Sequence, residues 1–225
     1  MRALIVDTET TGLDANKDAV IELAAALYDV DLREVVWCYA SLVPGCTKNP
    51  VAAINGINDQ LLAKSQDLPD PFSIVREVVD QADVIVAHNA DFDRGMVKGR
   101  LGDKPWVCTV QQIRFPKATS SRKLAHLAAD HGIPYVGAHR AMADVLMVAQ
   151  LLGRVPDLEA QLKGALKPAA IYQACVSYDQ REQAKARGFT WNSTARRWER
   201  RMPIDEAEAT KRPTNDRPFA IVRVA

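Results

Sequence analysis

The 225-residue sequence predicts an α/β layered domain followed by a small α+β module. Three observations carry this reading. Strand-like apolar runs crowd the first 43 residues, helical and strand-like segments then alternate to residue 152, and the charge balance changes beyond Pro156. Strands first and alternation afterwards imply a mixed sheet with helices packed on it.

The elements follow in order. Arg2 to Asp7 (R-A-L-I-V-D) is an apolar, β-branched run that predicts a central strand broken at Thr10-Thr11-Gly12. Ala19 to Val30 and Arg33 to Val43 predict two strands joined by a tight turn near Asp31, although Ala24 to Ala26 leave the first ambiguous with helix. Asn58 is an N-cap for a short helix, and Asp70-Pro71 opens a second through Val79. Asp83 to Ala87 predicts a buried strand, Phe92 to Arg100 a helix, Trp106 to Val110 a short strand, and Arg122 to Asp130 a helix stopped at Gly132. Ala141 to Leu152 carries apolar residues at helical spacing. Further on, Tyr172 to Ser177 predicts a strand, Ser177 to Gln180 a capping box opening a helix that ends at Gly188, and Trp191 to Trp198 a hairpin. Lys211 to Pro218 reads as loop and Phe219 to Val224 as a last strand. The expected organisation is a domain over 1–155, a linker over 156–171 and a module over 172–225.

Composition narrows the class. Hydrophobic residues make up 48% and charged residues 25%, as in soluble globular chains. No apolar run approaches the ~18 residues that cross a bilayer, and Met1 to Asp7 lacks the basic start and cleavage site of a signal peptide. A cytoplasmic protein with no membrane partner is expected. Cys38, Cys46, Cys108 and Cys175 form no C-x-x-C pair, which argues for free thiols and against zinc. The net charge of +1 hides an asymmetry: residues 1–156 hold 16 Lys+Arg against 19 Asp+Glu, and residues 157–225 hold 13 against 9. An acidic body with a basic tail suits a metal–carboxylate site joined to a polyanion-binding element.

Three clusters carry candidate chemistry. Asp7-Thr8-Glu9 places two carboxylates on one side of an extended backbone. Such a pair is either solvated at a sheet edge or held by a cation, and hard oxygen ligands suit Mg²⁺ or Mn²⁺. In His88-Asn89-Ala90-Asp91-Phe92-Asp93 an apolar strand runs into a polar cluster and a helix, so Asp93 or Asp91 can lie near Asp7. In His139-Arg140-Ala141-Met142-Ala143-Asp144, five residues turn a helix by ~140°. His139 and Asp144 therefore do not share a helix face; Asp144 belongs on the helix and His139 on the loop before it, whose Gly137 end can move. An imidazole with a pKa of roughly 6.5 suits a general base for water, and a helix-capping histidine is the alternative.

Together these stretches resemble the DEDD superfamily of 3′–5′ exonucleases, histidine subgroup, which includes replicase proofreading subunits, ribonuclease T and exonuclease X-like enzymes. Asp7 to Asp14, His88 to Asp93 and His139 to Asp144 match best; Ile54 to Asn58, Cys108 to Pro116 and Lys123 to Ala128 also match, over roughly residues 2 to 152. Asn55 departs from the histidine usual before this glycine. The resemblance implies a ribonuclease H-like fold with a mixed five-stranded sheet flanked by helices. It implies two Mg²⁺, with Mn²⁺ able to substitute, ~3.5–4 Å apart. Asp7, Glu9 and Asp144 would bind one, Asp7 would also touch the second with help from Asp93, and His139 would be the base. Substrate contacts would fall to Thr8, Thr10, Thr11, Leu13, Ile57 and Asn89, Thr11 at the terminal 3′-OH and Leu13 against the last base; Leu13 as a core residue and Asn89 as a backbone organiser are the alternatives. The implied activity is release of 5′-mononucleotides from the 3′ end of single-stranded or 3′-ended nucleic acid, DNA favoured. An RNA 3′-end trimmer or a silent nucleic-acid-binding adaptor are the competing readings, and no polymerase-binding segment is recognisable.

Residues 172 to 203 resemble a module that follows exonuclease X-like domains, on the pattern A-K-A-R-G-F-T-W then R-R-W. Arg196, Arg197, Trp198 and Arg200 are its candidate nucleic-acid contacts. Alternatively Phe189, Trp191 and Trp198 form the core of a tiny domain.

Overall fold

The computed structural model describes the chain apart from residues 118–120, 135–138, 211–212, 214–218 and 225. Gly137 and most of the loop expected over 211–218 lie outside the described residues. Two compact units result, Met1–Lys163 and Gly164–Ala225. Among the described residues no helix is long and apolar enough to cross a membrane.

The first unit is built on strands β1 (Arg2–Thr10), β2 (Val20–Asp29), β3 (Glu34–Leu42), β4 (Val84–Ala87) and β5 (Trp106–Cys108) in the order β3-β2-β1-β4-β5. The hairpin neighbours β1, β2 and β3 pair antiparallel, whereas β4 and β5 join parallel to β1 and to each other. The expected mixed sheet is therefore present, and the ambiguity at Ala24 to Ala26 resolves to strand. Helices α1 (Ala52–Asn55), α2 (Asp59–Lys64), α3 (Pro71–Val79), α4 (Ala90–Val97), α5 (Thr109–Gln112), α6 (Leu124–Asp130), α7 (Ala141–Leu152) and α8 (Leu158–Ala165) accompany it. Residues 156–171, expected as linker, contain α8 and the start of the next strand.

Strand alternation divides the burial. Leu4 and Val6 point to one face, where they meet Leu23, Ala25 and Leu27 and are covered by Phe72, Val75 and Val79 of α3. Asn58 and Asp70 cap α2 and α3 as expected, accepting from Leu61 and Phe72 N–H. The other face carries Ala3, Ile5, Asp7 and Glu9, paired across to Tyr28, Ala26, Ala24 and Glu22. Helix α7 packs on this face, over β1 and β2, and the small side chains of Ala24 and Ala26 let it approach. Arg33, in a left-handed turn between β2 and β3, donates to the carbonyls of Gly153, Val155 and Pro156 at 3.0, 2.8 and 2.8 Å, just past the C-terminus of α7.

The second unit is a four-stranded sheet, β7-β8-β6-β9, of β6 (Ala169–Cys175), β7 (Thr190–Asn192), β8 (Arg197–Pro203) and β9 (Ala220–Arg223), with α9 (Arg181–Ala186) and α10 (Ile204–Ala209). The capping box at Ser177 and Gln180 is formed. Tyr172, Phe189, Met202, Phe219 and Ile221 make its core.

Candidate active site

Strand β1 is longer than the apolar run that predicts it, and this positions the site. β1 pairs with β4 only through Ala3, Leu4 and Ile5. Beyond Ile5 the edge facing β4 is open, at the fork where parallel strands part. Thr8 N–H, which a further β4 residue would have occupied, donates instead to Asp93 Oδ1 at 3.1 Å, and Thr8 Oγ1 donates to the same oxygen at 2.8 Å. Asp93, on α4, is 2% exposed. Asn89 opens that helix in a left-handed conformation (φ 77°), without a side-chain cap hydrogen bond. Asp91 faces outward, accepting from Gln111.

Asp7, Glu9 and Asp144 converge: one oxygen from each lies within 4.8 Å of the others. Desolvation raises the Asp7 carboxyl well above its ordinary range, with repulsion from Asp93, Asp144, Glu9 and Glu22 adding to it. Burial pushes Glu9 up to about 7, Asp93 to about 7 and Asp144 to about 6. Asp144 Oδ1 is buried without a hydrogen-bond partner. A buried, unsatisfied carboxylate oxygen amid other carboxylates is costly unless a cation completes it. The donor set, all hard oxygen, fits a divalent cation. His139 is exposed, holds a left-handed backbone (φ 60°), and lies close enough that its charge favours ionised Asp144.

The turn after β1 is closed by Asp18, which accepts from Thr11 Oγ1 and Asp14 N–H. Gly12 sits so close to that carboxylate that any Cβ would collide with it. Leu13 projects from the turn 86% exposed, which removes the core alternative. Three expected substrate contacts are corrected here. Ile57 is wholly buried among Ile21, Leu42 and Leu62. Thr8 commits its hydroxyl to Asp93, and Thr10 turns its own onto Gly12 C=O at 2.6 Å; both side chains are buried and serve the loop's shape.

One residue of the site takes a place other than the substrate contact expected of it, and a second was not anticipated. Asn55, where the resemblance expects histidine, is buried, donates to Thr10 C=O at 3.4 Å, and lies near enough to Glu9 to oppose the rise that burial gives its carboxyl. Glu22 lies opposite Glu9 on β2 and is buried. Its only signal in the sequence is a lone glutamate inside the apolar run Val20 to Ala26.

A family model described as "Exonuclease" matches residues 4–152. The chain belongs to this exonuclease family. The 3′-5′ exonuclease DinG of Staphylococcus aureus (strain USA300) is 29% identical over 161 residues, which are 66% of this chain and 17% of that protein. The chain thus spans about a sixth of the curated relatives it matches. E. coli exonuclease I in complex with a dT13 oligonucleotide shares the fold, with TM-score 0.58 and 18% identity over 76% of this chain and 48% of that one. Exonuclease X in complex with 5′ overhanging duplex DNA gives 0.50 and 26% over 70% and 93%. The family and the carboxylate cluster together imply a divalent metal. Residues 170–212 match a domain of unknown function.

In this exonuclease chain the second unit rearranges the expected contacts. Trp198 is partly buried against the module core. Arg197 is paired with Glu199 at 2.9 Å, and Arg200 with Glu206 at 3.1 Å. Arg196 is exposed at the hairpin tip, and Trp191, opposite Trp198 with ring centroids 5.9 Å apart, is 52% exposed.

The carboxylate pKa values have a checkable consequence. Unfolded carboxylates titrate near ~4, so the folded apo protein binds more protons than the unfolded chain up to about pH 7. The favourable contribution is present at low pH and lost as pH rises through the folded values. A divalent cation competes with those protons. The melting-temperature increase on adding Mn²⁺ to EDTA-treated protein is therefore expected to grow steadily from about pH 5.5 to about pH 8. Scanning calorimetry checks this, and a shift independent of pH contradicts it.

Proposed function

We propose that the chain is a two-metal 3′–5′ exonuclease acting on single-stranded or 3′-ended DNA. The observation that carries the reading is the convergence of Asp7, Glu9 and Asp144, together with an Asp144 Oδ1 that is buried without a hydrogen-bond partner. Asp7, Glu9 and Asp144 would hold one Mg²⁺, and Asp7 with Asp93 the second; bound there, the ions stabilise charge on the attacking and leaving oxygens of an in-line displacement. His139 takes the proton from the attacking water. The new P–O bond forms as the bond from phosphorus to the penultimate 3′ oxygen breaks, and that oxygen leaves with a proton as the new 3′-OH. Leu13 wedges against the terminal base, and Thr11 lies along the terminal sugar. The DNA-bound exonuclease relatives support DNA as the polymer.

The test is degradation of 3′- and 5′-labelled single-stranded DNA and RNA of one sequence, with Mg²⁺ and with EDTA. Metal-dependent mononucleotide release from the 3′ end of DNA, faster than from RNA, is expected. Faster RNA release turns the assignment to an exoribonuclease, and no cleavage of either turns it to a binding protein.

The second unit fits a nucleic-acid handle, with Trp191 offered to a base and Arg196 to a phosphate. Base stacking contributes ~1–3 kcal/mol, so Trp191→Ala is expected to weaken oligonucleotide binding about tenfold while leaving turnover at saturation unchanged. Fluorescence anisotropy at moderate salt reads the effect, and equal affinity removes the module from substrate binding.

A further inference from the structure

Helix α7 carries Asp144 and begins two residues after His139, yet it has no side-chain cap of its own. Arg140 stands at its N-cap position without a side-chain cap hydrogen bond. The cap comes from the sheet. Glu22 Oε2 accepts the Ala141 N–H at 2.9 Å. Arg140 grips the same carboxylate as a fork, Nε at 3.1 Å from both oxygens and Nη2 at 2.6 Å from Oε1. The Glu22 side chain is 5% exposed and that of Arg140 47%.

We propose that Glu22 and Arg140 are a positioning pair that sets Asp144 and His139 against Asp7 and Glu9; this rests on the reading of the site as a metal-dependent nuclease centre. Three features carry it. Glu22 lies directly opposite Glu9 in the β1–β2 register, so the pair refers the helix to the strand that holds the other ligands. His139 is left-handed, an uncommon conformation for a residue with a Cβ, and the fork fixes the residue that follows it. The guanidinium also neutralises what would otherwise be a further buried carboxylate beside the cluster. Neither side chain is assigned to touch metal or substrate. They act on the helix and its lead-in.

The test uses the full-length chain with Arg140→Met and Arg140→Lys beside wild type. It reads kcat and KM on a labelled oligonucleotide with Mg²⁺, Mn²⁺ affinity by titration calorimetry, and melting temperature in EDTA. For Arg140→Met, kcat is expected to fall about a hundredfold with KM within about twofold, as for ~1 Å misplacement of reacting groups. Its Mn²⁺ affinity is expected to fall about tenfold, as for loss of a partner behind a ligand. Arg140→Lys restores the charge without the fork, and recovers part of both. A variant with a lower melting temperature but wild-type kcat and Mn²⁺ affinity would make the pair purely structural and overturn the proposal; tighter Mn²⁺ binding would do the same. If wild type binds Mn²⁺ and cleaves nothing, the nuclease reading fails, while the Mn²⁺ comparison still decides the pair.

Discussion

Asp7→Asn is expected to lower exonuclease turnover by at least about a thousandfold while leaving the fold intact or firmer. Asp7 stands at the centre of the charge conflict. Its carboxyl is raised by burial first and then by four neighbouring carboxylates. At neutral pH that carboxyl costs the apo protein stability, because its folded pKa lies above its unfolded one. Asparagine has nearly the same shape and no charge. The variant should therefore melt no lower than wild type in EDTA and lose most of the stabilisation by Mn²⁺. Calorimetry beside the cleavage assay distinguishes these outcomes. Full turnover by Asp7→Asn would remove the carboxylate cluster from the chemistry altogether.

His139→Ala is the second large effect. It is exposed, on a backbone in the left-handed region, and near enough to Asp144 for its charge to act there. A positioned base contributes ~10²–10⁴-fold, so kcat is expected to fall by that range. Oligonucleotide affinity in Ca²⁺ should change by less than about twofold, since an exposed ring adjoining Asp144 anchors little. Measuring kcat under single-turnover conditions beside equilibrium binding separates the two. A loss of affinity with unaltered chemistry would make His139 a phosphate contact.

The fold was legible where local patterns act alone. Helix α7 runs over Ala141–Leu152 as its apolar spacing predicts, and the Asn58 and Asp70 caps stand where their side chains dictate. The D-x-E spacing correctly placed two carboxylates on one side of β1, because strand alternation needs no tertiary information. Ile57 was misjudged because an apolar residue after a turn carries no mark of the cluster it will enter; contact with Ile21, Leu42 and Leu62 decided it. Thr8 was expected at the substrate for a related reason. Thr8 turns to Asp93, 85 residues away, because β4 stops short of it. Glu22 was invisible for the strongest version of this reason: one acidic residue in a buried strand has no periodic signal, and its partner Arg140 lies 118 residues on.

The contacts of Arg33 give α7 a mechanical character. Its first N–H is held by a carboxylate on β2, and the carbonyls just past its C-terminus by a guanidinium from the β2–β3 turn. Each charge opposes the helix dipole end it meets. The helix is slung between two hooks on one hairpin, as a beam is between trestles. Lengthening that hairpin turn, which carries none of the candidate metal ligands, would let one hook slip along the beam and carry Asp144 out of register with the strand it must face.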